Sequence, residues 1–301
     1  MGLLSAVRCR AEARTLAVVA TLGCLGAATA AQAESLSAGD ALDARIAKLE
    51  AQLQAANHKA DLALDRGEVE NVFSNYMFLH NSFQDEQIKS LWAKRGTPGM
   101  SAQYSNLGVY TQYDSIMAYH SGRPNPVGKL IQHYATNPSI QIAADRQTAK
   151  GVWVVAGVES GLSTPAQAAS APDFLFEKAG TGGSEVHGKK VWAHWVQIKY
   201  GVDFIRQDDA WKIWHFRCFE VSRARFDKNW ISMAAEMQDN AANEKFNADL
   251  MYLGDDGKPV FMPKVDGPPK SLAYPYRPDH SMKLDPALPV PYRTFSETFE
   301  Y

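Results

Sequence analysis

The sequence predicts an α+β domain, because helical and strand patterns occupy separate parts of the chain. Apolar residues recur at helical spacing up to about residue 93, and stretches of alternating, often β-branched residues follow from about residue 133 to residue 223. Segregated helices and strands are typical of folds in which an antiparallel sheet packs against helices. The sequence shows no internal repeat and no second set of core-forming segments, which indicates a single domain.

Residues 1–33 have the pattern of a secretory signal peptide. Basic residues within positions 8–14 precede an apolar run over 16–30, and Ala31-Gln32-Ala33 supplies the small-x-small sequence that signal peptidase cleaves. We therefore expect a periplasmic protein whose mature chain begins near Glu34.

Two other interpretations of this segment stay open. The first is an uncleaved membrane anchor, although the apolar run is shorter than the roughly 20 residues that a spanning helix needs. The second is a lipoprotein attached through Cys24, although Thr21 stands where leucine is usual.

Cleavage would change the composition in two ways. It removes three arginines and one glutamate, which takes the formal net charge from −2 to −4, and it removes two of the three cysteines. The remaining Cys218 cannot form an intramolecular disulfide, so the mature chain must be stabilised by its core. A mildly acidic chain without a Lys/Arg cluster is not expected to bind nucleic acid. No membrane contact is expected after cleavage.

Residues 34–66 are predicted to form a helical leader. Apolar positions recur over 40–65 at coiled-coil spacing: Leu42, Ile46, Leu49, Leu53, Ala56, Ala60 and Ala63. A single sustained seam more often packs on a partner than performs chemistry, so we expect a homo-oligomer. Gly67 marks the expected end of this helix.

Residues 67–237 form the predicted α+β domain, and 238–301 form a Pro/Tyr-rich tail. The expected helices are 68–81, 84–93, 114–120 and 228–237, and an edge strand is expected within 100–110. The expected strands are 139–144 and 151–160, paired as a hairpin, and 191–206 and 211–223, joined by a turn at 207–210. Residues 162–190 are predicted to be a protruding loop. The aromatic residues of the tail predict that it wraps the domain.

Four short stretches stand in an order and spacing that together are specific. They are Leu64-Asp65-Arg66 with Tyr76, Asp85 and Leu91; Gly108-Val109-Tyr110 followed by Ile116; Asn137-Pro138-Ser139-Ile140 followed by Ala149-x-Gly151-x-Trp153; and Tyr200 with Phe204-Ile205-Arg206 and Trp211-Lys212-Ile213. Over roughly residues 65–230 the chain thereby resembles the SnoaL-like branch of the nuclear transport factor 2-like superfamily. Ala210 replaces the glycine that usually precedes the closing tryptophan.

This resemblance implies a strongly bent antiparallel sheet around helices, forming a cone with a deep pocket. It also implies relatives that are cofactor-free isomerases, dehydratases, cyclases and lyases, alongside binding modules, so the fold alone does not decide function. The ending Leu288-Pro289-Val290-Pro291-Tyr292-Arg293-Thr294-Phe295 resembles the tails of sphingomonad members. Some of those act on lignin-derived diaryl compounds and release formaldehyde from a hydroxymethyl side chain. The Tyr-Asp pair of the dehydratase branch falls close to His80-Asn81, so its carboxylate is missing here.

The residue types favour general acid–base catalysis, with no metal and no cofactor expected. The eight histidines form no His-Glu-x-x-His motif and no Cys/His spacing typical of zinc sites. The sequence also lacks a phosphate-binding glycine loop and a nucleophilic serine motif. Histidine, tyrosine and arginine side chains in a dry pocket move protons and stabilise oxyanions. Convergence of His80, His133 and His194 on a metal is the alternative.

The candidate catalytic residues are Tyr76, His80, His133 and Arg217. Tyr76 and His80 lie one turn apart on one helix face, and the resemblance implies that this helix lines the pocket. His133 stands at the start of the first long strand, where the resemblance implies a pocket histidine. The alternatives are a core tyrosine at Tyr76 and an ordinary strand residue at His133.

Strand alternation supplies the remaining candidate, Arg217. Trp211 and Ile213 are expected to face the core, so His215 and Arg217 should follow them inward. A buried arginine among aromatic residues is costly without an anion or a ligand oxygen, so Arg217 is expected to stabilise an oxyanion. The alternative is a salt bridge to one of three carboxylates: Glu220, Glu159 or Asp203.

The expected substrate-binding residues are Tyr104, Tyr110, Tyr119, Trp192, His194, Tyr200 and His215. The many aromatic residues suit a small aromatic ligand, although they suit an ordinary core as well. We therefore expect a lyase that eliminates formaldehyde or water from such a compound to give an alkene. The alternatives are a dehydratase or isomerase of another hydrophobic substrate, and a periplasmic binding or assembly module without turnover.

Overall fold

The computed structural model describes residues 4–104, 108–121, 127–162, 184–226, 229–232, 251–253, 259–261, 263–270, 276 and 278–301; 4–38 and a few strand residues are described by their backbone alone. The chain divides into two compact units, Met1–Asp61 and Leu62–Tyr301. Within the described ranges, none of the helices has the length and hydropathy that a membrane crossing requires.

Helix α1 (Leu4–Asn81) is continuous, so the predicted break at Gly67 is wrong. A glycine costs a helix about 1 kcal/mol relative to alanine, which weakens the helix without ending it. Gly67 also keeps a negative φ, as a helix requires. The predicted cleavage site falls where only the backbone is described, and the signal peptide stays a prediction.

The elements after α1 are short at first and then long. They are α2 (Asp85–Ile88), a 3-10 helix (Lys89–Leu91), β1 (Ser101–Gln103), β2 (Val109–Tyr110), α3 (Tyr113–Tyr119), β3 (Leu130–Ile142), β4 (Thr148–Leu162), β5 (Ser184–Val186), β6 (Lys189–Gln207), β7 (Ala210–Arg225), β8 (Met251–Leu253), β9 (Pro259–Phe261) and a second 3-10 helix (Phe295–Glu297). The four predicted long strands are confirmed, and each is longer than predicted. Of the predicted loop at 162–190 and helix at 228–237, residues 163–183, 228 and 233–237 lie outside the described residues.

Six strands form an open, mixed sheet in the order β2-β1-β7-β6-β4-β3, and β5 pairs with β6. Neighbouring strands are antiparallel except β1 and β7, which are parallel. The predicted α+β class is therefore confirmed, with one parallel pair that the sequence did not indicate. Asp208 and Asp209 form the two-residue β6–β7 turn with φ of 49° and 59°. Positive φ at both positions gives a turn whose twist matches the paired strands.

A register shift in the β6–β7 pairing decides which side chains of β7 face the core. Phe204 of β6 pairs with Ile213, but the preceding residue Asp203 pairs with His215, so Trp214 is the extra residue of β7. An extra residue reverses the alternation of side chains beyond it. Phe216 therefore joins the core, whereas His215 and Arg217 face away from it. The predicted inward orientation of His215 and Arg217 is wrong for this reason.

The part of α1 within the second unit supplies one side of the core. Val69, Phe73, Tyr76 and Met77 recur at helical spacing and are buried against the sheet. Phe73 stacks on Trp153 of β4, with ring centroids 4.0 Å apart. This packing orients the next turn of the helix toward the interior residues of β3 and β7.

Asp65 anchors the same helix to both hairpins of the sheet. Its carboxylate accepts hydrogen bonds from Arg146 Nε at 2.5 Å, Arg206 Nη1 at 2.7 Å and Trp211 Nε1 at 3.3 Å. Burial alone would raise the pKa of Asp65, but these hydrogen bonds outweigh it and the pKa is lowered. The carboxylate therefore stays charged and holds the base of the helix against the sheet.

Residues 292–301, which we call the C-terminal segment, pack on the sheet face that carries His215. The backbone N–H groups of Ala144 and Asp145 donate to the carbonyl oxygens of Tyr292 and Arg293, at 3.0 and 3.1 Å. The ring of Tyr301 lies over Gly201, where a Cβ atom would approach it to 2.7 Å. The glycine therefore leaves the space that the aromatic ring fills.

Candidate active site

A histidine–glutamate pair bridges the adjacent strands β3 and β4. His133 Nε2 lies 3.0 Å from Glu159 Oε1. Gly157, directly opposite His133, leaves room for the imidazole, because a Cβ atom there would approach His133 Cδ2 to 2.8 Å. Asn81 bonds the backbone of His133 twice: its Nδ2 donates to the carbonyl oxygen, and its Oδ1 accepts from the N–H, each at 3.1 Å. The end of α1 and two strands thus fix the ring.

Glu159 is kept ionised by an arginine from β7. Arg223 forms an ion pair with Glu159, and its Nε donates to Glu220 Oε2 at 3.2 Å. Burial by itself raises the pKa of Glu159, but the charge of Arg223 and the hydrogen bond from His133 hold that pKa well below its usual range. Burial likewise opposes the charge of Arg223, but the two carboxylates raise its pKa above the ordinary value. Both groups stay charged at neutral pH.

An ionised Glu159 also fixes the tautomer of His133. A carboxylate only accepts hydrogen bonds, so the Nε2 atom of His133 carries the proton. In the neutral imidazole the lone pair then lies on Nδ1. Among the described residues, this buried Nδ1 atom has no hydrogen-bond partner. Buried polar atoms are nearly always satisfied, so an acceptor left in this state indicates a position for a ligand or a proton donor.

A continuous row of aromatic rings leads away from His133. His80 stacks on His133 with ring centroids 5.2 Å apart, and Tyr76 stacks on His80 at 6.0 Å. Tyr76 meets His120 edge to face at 5.9 Å. The row joins three separate elements, because His120 follows α3 whereas the other residues belong to α1 and β3.

Tyr104 and His120 form a hydrogen-bonded pair at the other end of this row. The Tyr104 hydroxyl lies 2.8 Å from His120 Nε2, and the Tyr104 ring stacks on Tyr119 at 3.7 Å. Burial raises the pKa of Tyr104 well above its usual value, so the phenol keeps its proton. Tyr110 borders the stack, and its hydroxyl donates to the carbonyl oxygen of Pro263 at 2.9 Å.

Two further predicted residues, His194 and Tyr200 of β6, lie on the same sheet face as His133, which we call the interior face. His194 pairs in register with Glu159, and burial together with the charge of Arg223 lowers the pKa of His194 to about 4. Tyr200 packs against Phe216 at 4.9 Å, and burial raises the pKa of Tyr200 well above its usual value. The side chain of the predicted Trp192 lies outside the described residues. Within the described ranges, no three His, Cys, Asp or Glu side chains are placed to hold a metal ion.

His215 belongs instead to a second buried cluster on the other sheet face, which we call the outer cluster. His215 Nδ1 lies 2.8 Å from Asp203 Oδ2, and Asp203 forms an ion pair with Lys150. The side chains of Lys150 and Asp203 are both 0% exposed. Burial lowers the pKa of Lys150, and the charge of Asp203 opposes this shift. Arg217 is half-buried beside the cluster, 5.8 Å from the ring centroid of Phe219.

The C-terminal segment closes the outer cluster. Lys150 donates to the carbonyl oxygen of Phe299, and the Tyr301 N–H donates to Asp203 Oδ2 at 2.9 Å. The ammonium group of Lys150 also lies 4.4 to 5.1 Å from three ring centroids, those of Phe295, Phe299 and Tyr301. The buried cation is therefore surrounded by groups of the chain itself.

Three residues beside His133 and along the row of rings were not predicted as site residues from the sequence: Glu159, His120 and Arg223. Alternation along β4 would have found Glu159, because it falls on the same side as Trp153. His120 follows directly after the predicted Tyr119, which was the only signal for it. Alternation continued from Trp211 along β7 would have placed Arg223 inward, because the second register shift in the β6–β7 pairing lies just before it and cancels the shift at Trp214.

The family model of the SnoaL-like domain matches residues 61–217. The match covers more than half of the chain, so the chain belongs to the SnoaL-like domain family. The matched region contains His133 and Glu159 but ends before Arg223 and the C-terminal segment. No curated protein is similar to this sequence.

Several solved structures resemble the chain at low similarity. A hexachlorocyclohexane dehydrochlorinase (LinA type 2) is 14% identical over 56% of this chain and 93% of its own, with a TM-score of 0.40. A putative scytalone dehydratase from Novosphingobium aromaticivorans is 11% identical over 56% and 93%, with a TM-score of 0.38. A putative dehydratase of the NTF2-like family from Streptomyces avermitilis is 14% identical over 53% and 97%, with a TM-score of 0.37. Similarity at this level carries no argument about function.

Proposed function

We propose that the chain is a cofactor-independent lyase in which His133 acts as the general base. The observation that carries the proposal is the buried Nδ1 atom of His133, whose lone pair is fixed by the bond from Nε2 to Glu159. A carboxylate on the far side of the ring also stabilises the imidazolium that forms after proton transfer. A positioned base of this kind contributes about 10²- to 10⁴-fold to a rate.

The Tyr104–His120 pair is the proposed proton donor. Burial keeps the Tyr104 phenol protonated, and its hydrogen bond to His120 connects it to the row of rings that ends at His133. Arg217, which was expected to stabilise an oxyanion, faces the other side of the sheet and takes no part in the proposed reaction. Arg223 does not fill that role, since two carboxylates already engage it.

The proposed substrate is a small aromatic alcohol, and in its finer form a lignin-derived diaryl propanediol. The stacked rings of Tyr104 and Tyr119 support an aromatic ligand, and residues 288–295 carry the resemblance that suggested the diaryl class. Membership of the SnoaL-like family fits a reaction that needs no cofactor. The other predicted residues of the interior would surround the rings: the catalytic candidates Tyr76 and His80 and the binding candidates His194 and Tyr200.

The chemistry is an elimination that balances without an oxidant or a reductant. His133 Nδ1 takes the proton of the primary hydroxyl, and the bond between that carbon and the neighbouring chain carbon breaks to release formaldehyde. The freed electron pair forms the double bond of a stilbene. The benzylic hydroxyl leaves as water with a proton donated by the Tyr104–His120 pair. One diol thus gives one stilbene, one formaldehyde and one water.

The test is to incubate the purified, metal-stripped protein with a diaryl propanediol and to follow stilbene absorbance and formaldehyde. Equal amounts of both products are expected, and His133→Gln is expected to slow their formation about 10²- to 10⁴-fold. His215→Gln changes the same residue type in the outer cluster and serves as the matched control. Activity that returns only when a metal is added would contradict the proposal. Binding of the diol without either product would identify a binding module instead.

We further propose that the chain is exported to the periplasm. The proposal rests on the pattern of residues 1–33, with its basic start, apolar run and small-x-small ending. N-terminal sequencing of the protein from a periplasmic fraction should begin at Glu34. A cytoplasmic protein that keeps residues 1–33 would contradict it.

A further inference from the structure

Helix α1 carries a row of exposed apolar side chains within the first unit. Leu42, Ile46, Leu49 and Leu53 are 58%, 44%, 55% and 61% exposed. Their spacings alternate between four and three residues, and Ala56 and Ala60 continue the series. We call these six residues the leader seam. Contiguous apolar surface of this kind is uncommon on an isolated soluble helix and marks an interaction site.

The spacing assigns every residue of the leader seam to one of two heptad positions. Ile46, Leu53 and Ala60 fall at position a, and Leu42, Leu49 and Ala56 fall at position d. A period of 3.5 residues keeps the seam facing a partner helix in a left-handed supercoil. Leucine at d with a β-branched residue at a, as in the pair Ile46 and Leu49, favours two parallel strands.

The charges beside the seam determine which partner fits. The e positions include Asp43 and Glu50, whereas the g positions include Arg45 and Lys59. One edge of the seam is therefore acidic and the other is basic. In a parallel, in-register pair the g edge of each helix meets the e edge of the other, which places Arg45 beside Glu50 of the second copy. In an antiparallel pair each edge would meet an edge of its own charge.

We propose that the leader seam binds the same seam of a second copy of this chain, as a parallel, in-register, two-stranded coiled coil. A surface with one acidic and one basic edge is complementary to itself in that arrangement. A helix that lies on a membrane surface carries basic residues across its polar face, and Asp43 and Glu50 do not fit that pattern. The coiled coil goes beyond the proposed lyase activity and does not depend on it.

Cysteine cross-linking of the full-length chain tests both the pairing and its direction. In a chain that carries Cys9→Ser and Cys24→Ser, Leu42→Cys and Ala56→Cys should each form a disulfide with the same residue of a second copy. Parallel d positions bring the two Cβ atoms within disulfide range. Ala44→Cys and Ala51→Cys lie on the opposite helix face and should remain monomeric on a non-reducing gel.

The outcomes of this test separate the arrangements. An antiparallel pair brings at most one of the two seam positions opposite itself, so disulfide formation at only Leu42→Cys or only Ala56→Cys would overturn the proposal. Failure at both positions, or equal cross-linking at Ala44→Cys and Ala51→Cys, would overturn it as well. Failure of the proposed lyase activity would leave these results unchanged.

A charge exchange provides the second measurement. Arg45→Glu and Glu50→Arg should each raise the dissociation constant of the homodimer about 2- to 5-fold, because each places like charges side by side. The double variant restores the opposite charges and should return the dissociation constant to the starting value. Light scattering over a dilution series measures all three. Additive weakening in the double variant would contradict the parallel register.

Discussion

The two faces of the sheet each carry a buried histidine–carboxylate pair with a buried cation beside it. On the interior face His133 lies 3.0 Å from Glu159, which pairs with Arg223. In the outer cluster His215 lies 2.8 Å from Asp203, which pairs with Lys150. By residue type alone the two sets are equivalent, although only the two histidines were predicted as site residues from the sequence.

The difference lies in what completes each set. The C-terminal segment completes the outer cluster, with a carbonyl oxygen on Lys150, an N–H on Asp203 and aromatic rings around the cation. On the interior face the Nδ1 atom of His133 is buried and lacks a partner among the described residues. A histidine–carboxylate pair therefore does not by itself mark a site, and the unsatisfied Nδ1 atom is what distinguishes His133 from His215.

A matched pair of carboxylate substitutions tests this comparison with the largest expected effect. Glu159→Gln removes the acceptor that fixes the tautomer of His133, and we expect kcat to fall about 10³-fold or more. Asp203→Asn makes the equivalent change in the outer cluster and should leave kcat within about twofold of the starting value, since no reacting atom lies there. Steady-state rates of stilbene formation, on protein shown to be folded by circular dichroism, measure both. Equal loss in the two variants would erase the distinction between the clusters.

Lys150 tests the other side of the comparison through stability. Lys150→Met removes one partner of a fully buried ion pair and leaves the charge of Asp203 uncompensated, which should cost about 3–5 kcal/mol in the free energy of unfolding. Urea unfolding measures this loss. Adding Asp203→Asn to Lys150→Met removes the stranded charge and should recover part of it. A stability loss below about 1 kcal/mol would show that the ion pair does not hold the C-terminal segment on the sheet.

The interior face should make stability depend on pH through His194. Burial and the charge of Arg223 lower the pKa of His194 to about 4, below the value of about 6.5 in an unfolded chain. Below pH ~6.5 the unfolded chain binds a proton that the folded chain does not bind. The free energy of unfolding therefore decreases as the pH is lowered from ~6.5 to ~4, and this contribution is constant above that window. The full loss is about 3 kcal/mol. Urea unfolding at several pH values should show this slope, and His194→Gln should flatten it.

Local patterns predicted the long strands because alternation and a two-residue turn are properties of neighbouring residues. The prediction was wrong where distant parts of the chain decide the outcome. Gly67 stays helical because a single glycine weakens a helix without ending it. The extra residue Trp214 turns His215 and Arg217 away from the core. Helical spacing and strand alternation predicted Tyr76, His80, His194 and Tyr200 as site residues. The pairing of His133 with Glu159 depends on the register between two strands, which the pattern of a single strand does not show.

The smallest expected effect concerns one hydroxyl on each face. Tyr104→Phe removes the proposed proton donor and its bond to His120, and we expect kcat to fall about tenfold, or about 1.4 kcal/mol, with KM nearly unchanged. Tyr301→Phe removes a hydroxyl that donates to the carbonyl oxygen of Ala287 at 2.7 Å, which should cost about 1 kcal/mol of stability and leave kcat unchanged. Rates and urea unfolding on both variants give two responses that should separate cleanly. If Tyr104→Phe changed stability alone, the Tyr104–His120 pair would be a structural hydrogen bond, like the one that Tyr301 makes.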